Sequence, residues 1–225
     1  MQGVIGLRTA RQWLVAVCAA AVVGCASVEP PQIRGLPERV ELNGVPFFRG
    51  NAHQSAPHVL ASMFGEQRIR TTPGLLVKPL KLPGAEASLQ GNMERLAAEY
   101  GLMVYPLDTS MPALLTQVAA GYPVMLRFSE GRIWSEPRYA MLVGYNRDKQ
   151  TVLLRAGMDR RRLMDFNAFE AAWTDAGNWA VLIMSPDQLP ANVDKARWLT
   201  AASELSRAGQ EQAAARAIRT LEARP

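Results

Sequence analysis

Apolar residues follow two rhythms along this chain, and the switch between them predicts the order of its elements. Val59, Leu60 and Met63 fall at helical spacing behind Ser55, Ala56 and Pro57, so a helix is expected from Ser55 to about Gly65. Leu89, Met93, Leu96 and Ala97 mark a second helix that starts at Ser88 and stops at Gly101. Leu114, Leu115 and Val118 mark a third, capped by Asp108 or Ser110 and closed at Gly121. A shorter helix over residues 71–76 would take Thr71 or Thr72 as its cap. Elsewhere the apolar residues run on without helical gaps. Residues 40–48, which span an Asn43-Gly44 turn, and residues 102–107, 122–128, 139–145, 151–155 and 179–184 read as strands. The turn at residues 146–150 would pair two of them, and residues 166–173 return to a helical pattern. Helices first and antiparallel-looking strands afterwards predict an α+β fold, with N-terminal helices packed on an antiparallel sheet.

Beyond Asp194 the pattern changes again. Ala196, Leu199, Ala202 and Leu205 form one short helix, Gly209 breaks it, and Ala213, Ala214, Ala217, Ile218 and Leu221 form another. With Trp198 among its large residues, this hairpin at 194–225 resembles a single tetratricopeptide unit. One such unit cannot bury its own face. It must dock on the main domain or on a partner.

The first residues look like an address. Arg8 and Arg11 precede an apolar run over residues 13–24 that is too short to span a bilayer as a helix and fits a signal peptide. Val22-Val23-Gly24-Cys25 resembles the lipobox of bacterial lipoproteins. That resemblance implies cleavage after residue 24 and acylation of Cys25, with two or more acyl chains giving stable membrane anchoring. Ala26 follows the cysteine where aspartate is associated with inner-membrane retention, so the resemblance favours an outer-membrane lipoprotein facing the periplasm. Residues 25–38, with Pro30 and Pro31, read as a stiff tether to a domain at 39–190.

Cysteine use follows from this. Cys18 would be discarded and Cys25 lipidated, which leaves the mature domain no thiolate nucleophile and no disulfide. The net charge of +5 is spread over short clusters such as Arg160 to Arg162, without the continuous basic stripe that a nucleic-acid partner requires. No GxGxxG or GxxxxGK[ST] motif is present, so no cofactor is expected; two histidines and no HExxH leave no basis for a metal site.

Several short motifs then point the same way: Val45-Pro46-Phe47-Phe48, Gln54-Ser55-Ala56-Pro57, Leu82-Pro83-Gly84, Tyr105-Pro106-Leu107, Gly121-Tyr122-Pro123-Val124, Tyr139-Ala140 and Val143-Gly144-Tyr145. Together they resemble the papain-like peptidases of the double-glycine, bacteriocin-processing family, and within it lipid-anchored envelope members with tetratricopeptide material after the peptidase domain. The resemblance implies roles. Gln54 matches the glutamine that helps hold the oxyanion, and Ser55 stands where the family has its nucleophilic cysteine. Arg138 stands where it has its base histidine. Asp159 is only a candidate for the third, orienting group. By the same resemblance Gln54, Trp134, Arg138, Tyr139 and Trp179 would surround a groove.

These substitutions change the expected chemistry. A serine hydroxyl needs a base to take its proton, and a guanidinium cannot accept one at physiological pH. The expectation is a degenerate, non-catalytic domain that binds a peptide or an envelope protein. Two alternatives stay open. One is a hydrolase using Ser55 with His53 or His58 as base, against which Ser55 is a helix cap and both histidines are loop or surface residues. The other is a structural lipoprotein that meets its partner through the C-terminal hairpin.

Overall fold

A computed structural model describes residues 31–51, 55–130 and 136–223. The chain enters with a helical turn, α1 (Pro31–Arg34), and a short strand, β1 (Arg39–Glu41). Three helices follow: α2 (Ser55–Glu66), α3 (Pro73–Val77) and α4 (Leu89–Glu99). Next come β2 (Met103–Pro106), α5 (Met111–Ala119), β3 (Val124–Glu130), β4 (Glu136–Asn146), β5 (Thr151–Ala156) and β6 (Asp159–Asp165). The last elements are α6 (Phe166–Asp175), β7 (Ala180–Met184), α7 (Lys195–Arg207) and α8 (Glu211–Glu222). The strands form one antiparallel sheet in the order β2-β7-β3-β4-β5-β6, with β1 also paired to β4.

Strand alternation divides the interior into two cores, one on each face of this sheet. Leu126, Phe128, Ala140, Leu142, Leu154 and Leu182 point to one face, where Leu114 and Val118 of α5, Phe169 and Trp173 of α6 and Trp198 of α7 cover them. Met125, Tyr139, Met141, Val143, Leu153 and Val181 point to the other, under Leu60 and Phe64 of α2 and Met93 and Leu96 of α4. Strands covered on both faces have no polar side to show, which is why residues 139–145 of β4 and all of β7 read as continuous apolar runs. The expected α+β architecture is the one observed.

Three local expectations differ from the structure. Residues 45–48 are apolar but form no strand. Their course is set by Arg155, whose guanidinium is buried (3% exposed) and donates to the carbonyls of Leu42, Asn43 and Val45. β6 was not expected at all, because charged residues occupy five of its seven positions. Residues 31–38 belong in part to the folded unit: α1 buries Ile33 in the core, and Arg147 donates to its carbonyl at 3.0 Å.

The hairpin of α7 and α8 docks on the main domain. Trp198 is fully buried against Tyr105 of β2, and its Nε1 donates to the Ala217 carbonyl at 2.8 Å. The Asp194 carboxylate caps α7 by accepting from Arg197 N at 2.7 Å, and Asp194 N donates to the Tyr105 hydroxyl at 2.9 Å. Arg197 lies over the Tyr105 ring and pairs with Asp108, whose carboxylate raises its pKa. Among the described residues no helix is long and apolar enough to cross a membrane.

Candidate functional site

Ser55 is the first residue of the 12-residue helix α2, and it is buried. Its hydroxyl is turned toward the sheet, where the oxygen accepts a hydrogen bond from the backbone N–H of Tyr139 at 3.1 Å. That contact joins the start of α2 to the early part of β4, from residues 84 positions apart. Arg138 precedes Tyr139, so its side chain leaves the opposite face of the strand. It still lines the same pocket as Ser55 and Tyr139.

The pocket encloses about 140 Å³. Ser55, Phe128, Arg138, Tyr139, Asp159 and Arg162 line it, together with the backbone of Gly50 and Gly157. The two glycines meet across it, with Gly50 N donating to the Gly157 carbonyl at 3.2 Å. Gly50 has a second neighbour. A Cβ built there would lie 2.2 Å from Nε2 of His58, so any larger residue would have to push that imidazole aside. The His58 ring thus packs closely on Gly50. Arg162 is held by a cation–π contact, with its guanidinium carbon 5.4 Å from the centroid of the buried Phe128 ring.

The remaining expected residues are divided. Tyr139 turns its ring into the core beneath α2, where burial pushes its phenol pKa up to about 12 and keeps it protonated. Trp179 meets that ring edge-on with centroids 5.7 Å apart, and its Nε1 donates to Glu94 at 2.9 Å. On its other side Trp179 lines a different and larger cavity of about 800 Å³, between α4, the β2 and β7 strands and α7. Arg138 and Trp179 therefore line separate cavities, while Tyr139 lines the small pocket and packs against Trp179. Strand alternation at 138 and 139 is the reason. Gln54, Trp134, His53 and Cys25 lie outside the described residues.

Asp159, the candidate orienting group, does line the pocket with Ser55 and Arg138. Arg162, Gly50 and Gly157 were not anticipated as pocket residues. Arg162 read as part of a solvated basic cluster, and a strand reading of residues 159–165 was needed to send it inward from its neighbours. Among the described residues no group of three His, Cys, Asp or Glu side chains is placed to hold a metal ion.

Comparison with known proteins gives the architecture a name. No protein-family model matches the chain, and no curated protein matches it. Solved structures do match, among them the following two. A C39-like peptidase from Bacillus anthracis superposes with a TM-score of 0.54 at 18% identity, over 66% of this chain and 98% of that one. Xylellain, a cysteine protease from Xylella fastidiosa, superposes with a TM-score of 0.50 at 10% identity, over 69% of this chain and 89% of that one. The fold is that of papain-like cysteine peptidases. In a papain-like fold of this kind, Ser55 heads the helix that backs the sheet and Arg138 stands early in the strand beside it, as described above.

Proposed function

We propose that this chain is a lipid-anchored envelope protein whose papain-like domain has lost peptidase chemistry and binds peptide instead. The observation that carries this reading is the surroundings of the Ser55 oxygen. Among the described residues its hydrogen-bond partner is a donor, the Tyr139 N–H, which occupies a lone pair rather than removing a proton. Among the described residues that line the pocket, the other basic-looking groups are the guanidiniums of Arg138 and Arg162, which carry protons permanently, while the His58 imidazole lies against Gly50 at the wall. A serine in that setting stays a neutral hydroxyl and a poor nucleophile. A pocket with two arginines and a hydroxyl is instead suited to hold an acceptor-rich ligand. Anchoring rests on the lipobox-like Val22-Val23-Gly24-Cys25 run, and an outer-membrane position facing the periplasm rests on Ala26 after it.

Hydrolysis of peptide and ester substrates tests the loss of chemistry. The wild-type chain should show no turnover above that of Ser55→Ala. Turnover that disappears in Ser55→Ala would overturn the reading and select a serine hydrolase. Anchoring is read separately: acyl-labelled protein should become unlabelled in Cys25→Ser, and label retained there would refute lipidation at that position.

A further inference from the structure

β2 and β6 end the main path of the sheet, and they are built differently. β6 carries charged residues at five of its seven positions, whereas β2 reads Met-Val-Tyr-Pro and carries none. β2 pairs with β7 on one side, and among the described residues no strand pairs with it on the other. The phase of that pairing fixes which backbone groups face outward. Leu107 N donates to the Ala180 carbonyl at 3.0 Å, so Leu107 and, two residues back, Tyr105 turn their N–H and carbonyl groups toward β7. Val104 and Pro106 present theirs to the outer side. Arg197 donates to the Pro106 carbonyl at 3.2 Å, and proline has no N–H to offer. That leaves the donor and acceptor of Val104. We propose that this edge takes an added strand, an uncharged extended segment of another polypeptide. The proposal goes beyond the reading of the Ser55 pocket and stands whether or not that serine is catalytic.

The groove beside Trp179 runs along the same edge. Leu102, Val104 and Pro106 line it, with α4 on one side and α7 on the other. From Arg197 to Ala208 its α7 wall is about 16 Å long, which matches about five residues of extended chain. A residue opposite Val104 in an antiparallel arrangement exchanges both hydrogen bonds with it. Strand addition of this kind draws affinity from the backbone and selectivity from the surfaces beside it. Charge decides the kind of segment. Arg95 pairs with Glu99 at 2.6 Å, Arg207 with Glu204, and Arg197 with Asp108 at 2.5 Å. Glu94 accepts from Trp179 Nε1 at 2.9 Å. These charges on the walls are matched within the protein, so a charged residue entering between them would break a pair or go without a counter-ion. Between the rims the surface is apolar, with Ala98, Val181 and Ala201 among its residues. An acyl chain matches that surface but leaves the Val104 N–H and carbonyl covered and unsatisfied, which is costly. A polypeptide satisfies both.

Two libraries of pentapeptides capped at both ends test this, one drawn from uncharged residues and one carrying lysine or glutamate at every second position. Each is equilibrated with the purified full chain, and the bound peptides are read by mass spectrometry. The uncharged library should be retained about tenfold or more above the charged one. Its best-retained peptide should slow hydrogen exchange at Val104 N–H, and replacing the peptide's amides by esters should weaken binding about tenfold by removing its donors. Thr200 and Gly91 line the groove and are exposed, and a Cβ at Gly91 meets nothing within 4 Å. Thr200→Trp and Gly91→Leu should therefore fill the groove, each lowering retention about tenfold with an unchanged unfolding curve; if one does not fold, the other carries the test. Val104 N–H exchange unchanged by bound peptide would overturn strand addition. Equal binding of the ester form, with both forms displaced by dodecanol, would assign the groove to an acyl chain and overturn it as well. Retention that survives both groove-filling variants would place the peptide elsewhere, overturning this proposal and leaving the peptide-binding reading of the Ser55 pocket standing. Equal retention of the two libraries would refute the choice of an uncharged segment, and retention of neither would refute strand addition altogether.

Discussion

The pocket at Ser55 draws its walls from separate parts of the chain: Gly50 and Ser55, Phe128, Arg138 and Tyr139, and residues 156–159 with Arg162. The groove beside Trp179 is walled by the sides of regular elements, with Glu94, Arg95 and Ala98 from α4, Val104 from β2, Val181 from β7 and Ala201 and Glu204 from α7. One is a meeting of backbone ends and charged tips, and the other a valley between amphipathic surfaces. The difference decides what each region depends on. The groove needs the hairpin to be docked, whereas the pocket needs a loop to be held down.

Four substitutions break or sharpen that contrast. Trp198→Ala should have the largest effect, about 3–5 kcal/mol lost in denaturant unfolding, because it empties the buried seat of the hairpin. Hydrogen exchange should then rise across α7 and α8 and stay unchanged in α2; equal loosening of α2 would show that the two regions are not separable. Arg155→Met should cost about 2–3 kcal/mol by leaving the carbonyls of Leu42, Asn43 and Val45 buried without a donor. Its exchange pattern should be the reverse, with residues 42–50 loosened and the hairpin intact. Burial already lowers the Arg155 pKa, with nearby Arg160 adding to the effect and Glu66 opposing it.

Tyr139 belongs to both regions, with its N–H at the pocket and its ring against Trp179. Its folded-state pKa of about 12 lies above the ordinary 10.0. The unfolded chain therefore releases the proton first, and stability that is full below pH 10 falls as pH rises from 10 toward 12. The loss specific to this residue is about 2 kcal/mol. Tyr139→Phe should remove that part of the alkaline decline in urea titrations, and an identical decline in both proteins would refute the buried phenol as its source. Asp194→Ala should have the smallest effect, about 1 kcal/mol, through loss of the α7 cap. A change near zero would mean that the Asp194 N–H bond to Tyr105 already holds the helix start.

How much of this was legible depended on whether a segment answers to one environment or several. The helices at Leu89–Glu99 and Met111–Ala119 each pack a single apolar stripe, and both were read to within a few residues. Ser110 caps the latter as expected, with its side chain accepting from Ala113 N. Residues 139–145 of β4 and all of β7 showed themselves as unbroken apolar runs. Residues 45–48 misled because their apolar side chains, Phe47 and Phe48 among them, pack on a core without pairing, under control of an arginine 110 residues away in sequence. β6 was hidden because its pattern is written in charge. In the site, the nearness of Ser55 and Arg138 was legible only through resemblance, and the strand parity that separates Arg138 from Trp179 was not weighed. Gly50 gave no local signal, since its role depends on where the His58 ring comes to rest.

β6 ends the sheet on one side among the described residues, and an outer strand offers its backbone to any passing strand. Asp159, Arg160, Arg161, Arg162 and Asp165 guard this one, and Arg161 reaches across to pair with Glu41 on β1. A second copy arriving edge to edge would set arginine near arginine and would have to disturb that pair. Leu163, 64% exposed, is the gap in the guard. The short stretch of chain that sends Arg162 to the pocket thus also makes this edge a poor template for a further strand.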